Sequence, residues 1–134
     1  MEMNAFRLDG KVALITCAVY GIGFAIAEAY AAAGAKIIFN CLNEEAKNKA
    51  LDSYHEKGID AVGYVADVTK EDEINAMVAD IDAKYGGVDI LVNNAGIIKR
   101  IPMIEMSAAD FRAVIDVDLN APFIVAKAVI PGMI

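Results

Sequence analysis

The sequence has few cysteines and histidines, the residues that are typical of disulfide-rich and metal-binding proteins. It has two cysteines and no tryptophan in 134 residues. Two cysteines are too few for a disulfide framework, and in an intracellular domain they are usually reduced. His55, the single histidine, lies in a polar segment without cysteine or carboxylate at metal-ligand spacing. We therefore expect a surface histidine there and no metal site.

Positive charge is also scarce. The chain has 12 Lys and Arg against 19 Asp and Glu, a formal net charge of -7. Such a charge repels polyphosphate, which argues against a nucleic-acid partner.

Long apolar runs and a leader sequence are missing too. The longest nearly apolar run, residues 21–35, is interrupted by Glu28 and is too short to span a bilayer. Residues 1–11 contain acidic side chains and no apolar core of a secretory signal. The sequence therefore predicts a cytoplasmic protein with no membrane partner.

What the sequence does contain is a regular alternation of two patterns, with 57% hydrophobic residues to build a core. Short apolar runs without alternation predict strands buried on both faces of a parallel sheet, at residues 12–16, 36–40, 61–66 and 88–92. Helical spacing predicts helices at residues 21–33 and 44–57. A third helix is expected to begin at an N-cap, Thr69, and to end near Gly86 and Gly87, and a fourth is expected to extend from Ser107 to the last residue.

This alternation predicts an α/β fold made of right-handed βαβ crossovers. We expect a single dinucleotide-binding Rossmann domain over residues 1–134, with a parallel sheet in the strand order 3-2-1-4 and helices on both faces. The last helix is apolar on more than one face, and the fourth strand would be an uncovered edge. We therefore expect the domain to be incomplete, truncated before a catalytic half, and to form a homo-oligomer.

A glycine loop connects the first strand to the first helix. It reads Thr16-Cys-Ala-Val-Tyr-Gly21-Ile-Gly23 and places two glycines at the helix N-terminus. Backbone N–H groups and the helix dipole can approach a pyrophosphate there, because no side chain intervenes. Glycine also serves any tight turn, so the loop alone leaves both interpretations open.

Four short motifs in order carry a resemblance to a known family. They are residues 8–11 (LDGK), 21–23 (GIG), 67–69 (DVT) and 93–96 (NNAG). With them the chain resembles the short-chain dehydrogenase/reductase family from end to end. Residues 93–103 and 116–123 are most similar to its gluconate 5-dehydrogenase and 2-deoxygluconate 3-dehydrogenase group. The resemblance implies oxidation of a sugar-acid hydroxyl, or reduction of the keto acid, with NAD or NADP.

The resemblance also implies a set of cofactor-binding residues. Residues 21–23 would line the pyrophosphate, and Asp67 would bind the adenine amine with Val68 against the ring. Asn93, Ala95 and Gly96 would lie beneath the nicotinamide ribose. For Asp67 the alternative is a helix N-terminal charge, and for Asn93 and Asn94 a structural role is equally open. The full set is Thr16, Cys17, Tyr20, Gly21, Ile22, Gly23, Cys41, Asp67, Val68, Asn93, Ala95 and Gly96.

The sequence departs from the family around the adenosine ribose. Cys17 replaces a glycine, and residues 40–43 contain neither the acidic residue that accepts from a ribose hydroxyl nor a basic one for a 2'-phosphate. The choice between NAD and NADP therefore stays open. Cys17 and Cys41 would end adjacent strands about 5 Å apart, within disulfide range. A redox-sensitive pair is a hypothesis, and two free thiols are the favoured alternative.

No catalytic residue is assigned. The family uses a serine and a Tyr-x-x-x-Lys pair, and no tyrosine of this chain has a lysine four residues on. Asp118 stands where much of the family has a helix asparagine, and Asn120 should point elsewhere. Arg100, beside Lys99, could meet a substrate carboxylate, although a solvated pair is favoured. A non-catalytic nucleotide-binding or self-associating scaffold is the alternative function.

Overall fold

The computed structural model describes residues 4–134, so the first three residues of the N-terminal stretch considered above lie outside it. The strands are β1 (Val12–Ile15), β2 (Lys36–Cys41), β3 (Ala61–Val65) and β4 (Ile90–Val92). The helices are α1 (Gly21–Ala32), α2 (Glu44–Glu56), α3 (Glu71–Tyr85), α4 (Ala108–Ile115) and α5 (Ala121–Met133). A 3-10 turn spans Asn4–Phe6, and a π-helical segment, Asp116–Asn120, joins α4 to α5.

The strands form one parallel sheet. Its order is β3-β2-β1-β4, with Leu14 of β1 opposite Ile38 of β2 and Leu91 of β4. Every residue of β1 is buried, as expected for a central strand covered on both faces. The predicted Rossmann-type strand order is confirmed.

Helices cover both faces of this sheet, as predicted. On one face Leu14 and Ile38 join a core with Ile74 of α3 and Val125 of α5. On the opposite face Phe39 belongs to a second core that includes residues of α1 and α2. Because neighbouring strand residues point to opposite faces, alternate residues of β1 and β2 supply the two cores.

Two helix predictions need correction. The third helix is not capped by Thr69: α3 begins at Glu71 with Lys70 as N-cap and no side-chain cap. The Thr69 hydroxyl instead donates to Asp67 Oδ1 at 2.7 Å, within the turn that precedes the helix. The predicted last helix is present over residues 108–133, but it is not α-helical throughout, because Asp116–Asn120 within it are π-helical.

Two further features concern membrane-spanning helices and metal sites. Across residues 4–134 no helix combines the length and apolar character needed to cross a bilayer. The same residues contain no group of three or more histidine, cysteine or carboxylate side chains placed to hold a metal ion. His55 is exposed on α2.

Candidate functional site

A cleft of about 580 Å³ opens at the carboxyl ends of β1, β2 and β4. The strand order reverses on either side of β1, which is where open α/β sheets bind ligands. Its volume falls within the range of small-molecule sites. The lining residues come from the glycine loop and from the segments after β2 and β4: Cys17, Val19, Tyr20, Gly21, Ile22, Gly23, Cys41, Leu42, Asn43, Ala46, Asn94, Gly96 and Ile97.

The start of α1 forms one wall of the cleft. Tyr20 is the N-cap and makes no side-chain capping bond, so the first backbone N–H groups of α1 have no side-chain acceptor there. Gly21 has φ +63°, a left-handed conformation that suits glycine. A Cβ on Gly23 would lie 2.7 Å from Cγ of Asn94. The two glycines are therefore required for different reasons, one by backbone conformation and one by close approach.

Hydrogen bonds with residues that follow β4 fix the position of Thr16, the first residue of the glycine loop. Thr16 is buried, and its Oγ1 accepts from the backbone N–H groups of Asn94 and Ala95, each at 2.9 Å. The Asn94 side chain donates to the carbonyl oxygen of Thr16 at 2.9 Å. This amide therefore has a structural role, one of the two interpretations open at the sequence level.

Side chains of β2 and α2 hold the next two residues of the loop. Cys17 donates its backbone N–H to Oδ1 of Asn40 at 3.0 Å. Tyr54, from α2, is fully buried and donates its hydroxyl to the carbonyl oxygen of Ala18 at 2.6 Å. Its ring stacks on Phe24 of α1 with centroids 4.3 Å apart. These contacts position the loop before any ligand binds.

Cys17 has a backbone conformation that favours glycine, the residue that the family resemblance predicts at this position. Its φ is +52°, and within residues 4–134 it is the one non-glycine residue with positive φ. A left-handed conformation costs roughly 1–2 kcal/mol for a residue with a Cβ. Cys17 is one of the residues that line the cleft.

Both cysteines are free thiols in the structure. Burial, followed by the nearby Cys41 and Asp67 side chains, raises the pKa of the Cys17 thiol to about 11. Burial also raises the pKa of Cys41, whose Sγ lies 3.3 Å from the carbonyl oxygen of Asn43. Disulfide exchange requires a thiolate, so both groups should react slowly. These features favour the free-thiol interpretation over the redox-sensitive pair.

The cleft brings together part of the predicted set. Seven of its members line it, namely Cys17, Tyr20, Gly21, Ile22, Gly23, Cys41 and Gly96. Thr16, Val68, Asn93 and Ala95 instead border a small gap against α5. Their role in cofactor binding stays a prediction. The sequence did not identify four apolar residues that line the cleft: Val19, Leu42, Ala46 and Ile97. Each lies a few residues after the end of a strand, and this position was the signal that could have identified them.

Asp67 and Val68 lie beyond the end of β3. Oδ1 of Asp67 accepts from the backbone N–H of Thr69 at 2.9 Å as well as from its hydroxyl. This is a local turn, and the helix itself begins later, at Glu71. Val68 is buried in the core. An adenine contact by Asp67 remains a prediction.

The segment after β4 is tied to the π-helical segment. Asp118 Oδ1 accepts from the backbone N–H of Ile97 at 2.8 Å. Asn120 instead donates to Asp116 Oδ1 at 3.2 Å along its own helix, so it points elsewhere, as expected. π-Helical insertions recur at functional sites because they redirect a side chain. Here the insertion places Asp118 beside the cleft-lining Gly96.

The two basic residues after β4 differ in their surroundings. Lys99 Nζ lies 2.7 Å from Asp110 Oδ1 in an ion pair, and its hydrogen bond lowers the pKa of Asp110. Arg100 is exposed and does not line the cleft.

The cleft fits a dinucleotide by shape and chemistry. Its walls combine apolar side chains such as Val19, Leu42 and Ile97 with the backbone at a helix start, which suits aromatic rings joined by a diphosphate. The model of the short-chain dehydrogenase family matches residues 11–134 of the sequence. The chain belongs to the short-chain dehydrogenase family. The family resemblance predicted from the four motifs is confirmed.

Several short-chain dehydrogenases are similar to this chain along nearly its whole length. It is 47% identical to the 2-dehydro-3-deoxy-D-gluconate 5-dehydrogenase of Formosa agariphila, over 100% of this chain and 51% of that protein. The crystal structure of a 2-keto-3-deoxy-D-gluconate dehydrogenase from Streptococcus agalactiae is 66% identical, with a TM-score of 0.85 over 96% of this chain and 48% of that one.

A third similar protein is a gluconate 5-dehydrogenase from Burkholderia cenocepacia, solved with NADP and tartrate. It is 39% identical and has a TM-score of 0.87, over 96% of this chain and 50% of that one. The expected similarity to gluconate 5-dehydrogenases is confirmed. The chain spans about half the length of the curated relatives it matches.

Proposed function

We propose that this chain binds NAD or NADP in the cleft and forms the dinucleotide-binding part of a sugar-acid dehydrogenase. The observation that carries the proposal is the start of α1, where Gly21 and Gly23 open onto a cleft at the reversal of strand order. The positive end of the helix and its N–H groups, which Tyr20 does not cap with its side chain, would stabilise a diphosphate there. The bound cofactor would supply the hydride acceptor or donor.

The proposed orientation follows the strand ends. The adenosine half would lie toward Cys17 and Cys41, with Asp67 and Val68 near the adenine. The nicotinamide half would lie toward Gly96, above Asn93 and Ala95. No lysine, arginine or carboxylate lines the cleft among the described residues. The cleft therefore offers neither a strong partner for a 2'-phosphate nor a carboxylate acceptor for a ribose hydroxyl.

The proposed substrate is a sugar acid or its keto form. The similar proteins reported above are named for such compounds, including 2-keto-3-deoxy-D-gluconate and gluconate. We assign this activity to the whole protein, with the present chain contributing its cofactor site. Transfer of the hydride then requires a proton donor on the substrate side, which residues 4–134 do not supply as Tyr-x-x-x-Lys.

A self-associating role is favoured by one observation. Large apolar side chains remain exposed on α4, the π-helical segment and α5, among them Phe111, Leu119 and Phe123. Exposed apolar surface of this kind marks an interface. We propose that the protein forms a homo-oligomer through this face.

Cofactor binding is tested by fluorescence titration of the full chain with NADH and NADPH. We expect saturable binding that ADP-ribose competes away. Gly21→Val should abolish it, because the left-handed conformation at the helix start is lost. Gly58→Val is the matched control, since Gly58 also has φ above +60° and open space around it but lies far from the cleft.

Two outcomes would contradict the proposal. Absence of binding at millimolar NADH and NADPH would remove the cofactor site, and equal losses in Gly21→Val and Gly58→Val would show a general effect of strain. The substrate class is tested on the whole protein by cofactor oxidation with 5-keto-D-gluconate and 2-keto-3-deoxy-D-gluconate. Turnover with neither compound would refute the sugar-acid assignment alone.

A further inference from the structure

Asn40 is an amide buried at the centre of the sheet's carboxyl edge. It has 0% of its surface exposed, and Thr16 is the other buried polar residue among those described. Asn40 Oδ1 accepts from the backbone N–H of Cys17 at 3.0 Å, and Nδ2 donates to the carbonyl oxygen of Ala66 at 2.9 Å. One partner is a donor and the other an acceptor, so the orientation of the amide is fixed.

These two partners belong to different loops. Cys17 follows β1 and opens the glycine loop, while Ala66 follows β3 and leads to Asp67 and Val68. β2 lies between β1 and β3, so Asn40 joins the loops on its two sides. Ordinary strand pairing does not make this link, because the backbone at Cys17 turns out of the sheet with φ +52°.

We propose that Asn40 is a positioning residue that couples the glycine loop to the loop after β3, so that the two loops hold the diphosphate and the adenine of one dinucleotide in fixed relation. This inference rests on the proposed cofactor site and extends it. Asn40 acts through other residues, because it does not line the cleft and both polar ends of its amide already have protein partners.

Replacement of Asn40 by aspartate separates coupling from simple packing. Aspartate keeps an oxygen for the N–H of Cys17, but when ionised it turns its second oxygen toward the carbonyl oxygen of Ala66. Protonation converts that oxygen into a donor and restores the link. Burial raises the pKa of such a carboxyl. The contribution of the protonated link is therefore present at low pH and lost as pH rises through the folded-state pKa.

The experiment uses the full chain and isothermal titration calorimetry with NAD+ and NADP+ at pH 5.5 and pH 8. Affinities are taken relative to the wild type at each pH, for whichever dinucleotide the wild type binds. We expect Asn40→Asp to bind about tenfold more weakly at pH 8, the equivalent of about 1.4 kcal/mol, and to recover to within about twofold at pH 5.5. Asn48→Asp, with the same charge change at an exposed position of α2, should follow the wild type at both pH values.

Amide hydrogen exchange measures the coupling without any cofactor. We expect peptides covering residues 16–23 and peptides covering residues 66–70 both to exchange faster in Asn40→Asp than in the wild type at pH 8, and the two differences to shrink together at pH 5.5. If Asn40 only filled space, the buried carboxylate would loosen the surrounding core as a whole, so exchange would speed up in β1 and β2 as much as in the two loops.

The outcomes are distinct. Unchanged relative affinity of Asn40→Asp at pH 8, or faster exchange in one loop alone, would overturn the coupling. If the wild type binds neither dinucleotide, the proposed cofactor site fails and the exchange data alone decide whether Asn40 couples the loops. Should Asn40→Asp not fold, Asn40→Ser is measured instead, and wild-type affinity with wild-type exchange in both loops would overturn the proposal.

Discussion

The glycine loop and the C-terminal third of the molecule are built in opposite ways. In the loop, buried polar groups of Thr16, Asn40 and Tyr54 bind neighbouring backbone atoms. After β4, large apolar side chains face water instead, with Met103 89% and Phe123 67% exposed. Buried hydrogen bonds hold the glycine loop in position. The region after β4 instead exposes an apolar surface of the kind found at protein interfaces. Substitutions in the two regions should therefore have unequal effects.

The largest expected effect is that of Gly23→Ala. The added Cβ would lie 2.7 Å from Cγ of Asn94 and 3.1 Å from Cα of Ala18, so Asn94 must move and release the loop. We expect a loss of about 3 kcal/mol in the free energy of unfolding, measured by urea denaturation. Gly132→Ala in α5 is the matched control and should gain up to about 1 kcal/mol, because alanine favours a helix. Equal effects of the two changes would contradict the comparison.

Thr16→Val should have the next largest effect. Valine has the same shape but removes the oxygen that accepts from the N–H groups of Asn94 and Ala95. The N–H of Asn94 keeps its bond to the carbonyl oxygen of Val92, whereas the half-buried N–H of Ala95 loses this acceptor. We expect a loss of about 2 kcal/mol in urea denaturation. Thr69→Val, which removes one hydroxyl bond from a half-buried turn, should cost less than about 1 kcal/mol. A loss at Thr16 no greater than at Thr69 would show that the buried bonds do not organise the loop.

Cys17→Gly should stabilise the same region. Glycine adopts φ near +52° without the steric cost that cysteine bears, so we expect a gain of about 1 kcal/mol in the free energy of unfolding. The glycine also removes a side chain from the lining of the cleft, and if the proposed cofactor site is correct, calorimetry should show tighter dinucleotide binding. Cys17→Ala is the control, because it removes the thiol and keeps the Cβ. An equal gain from alanine would show that the thiol, and not the backbone conformation, is responsible.

The Cys17 thiol also predicts a pH dependence. Burial raises its pKa from 9.0 to about 11, so the folded protein holds this proton more tightly than the unfolded chain does. That contribution to stability is complete below pH 9 and is lost as pH rises toward 11. The melting temperature of the wild type should therefore fall more steeply than that of Cys17→Ala between pH 9 and pH 11. Parallel curves would contradict the buried position of the thiol.

The smallest effect on stability is expected in the C-terminal region. Phe123→Ser changes an exposed ring, so the free energy of unfolding should change by less than about 0.5 kcal/mol. Sedimentation should nevertheless show weaker self-association, because apolar contact area is lost. Phe123→Leu keeps the apolar character and should associate like the wild type. Unaltered association of Phe123→Ser would place the interface elsewhere.

The sequence predicted much of the fold because its signals are local. The apolar runs located β1 to β4, with differences of one or two residues at their ends, and their alternation with helices predicted the strand order. Thr69 shows the limit of such signals. A threonine before an acidic turn is typical of an N-cap, yet Asp67 two residues earlier accepts its hydroxyl and the helix starts one residue later.

Local signals also predicted part of the candidate site, and they missed the contacts between distant residues. The glycines at 21 and 23 marked the helix start that lines the cleft. Asn40 gave no such signal: at a strand end it resembled a ribose-binding position with the wrong side chain, and its two partners, Cys17 and Ala66, lie 23 and 26 residues away along the chain. No periodicity or local motif reports a hydrogen bond of that separation.

Local sequence specifies which segments become strands and helices and where glycine frees the backbone at the start of α1, because these features depend on residues a few positions apart. Contacts between distant segments specify which polar side chains face the cleft and which form buried hydrogen bonds beneath it. Thr16 and Asn40 have structural roles because strands that are distant in sequence bring backbone N–H and carbonyl groups beside their side chains. A buried polar side chain forms hydrogen bonds with such neighbouring groups.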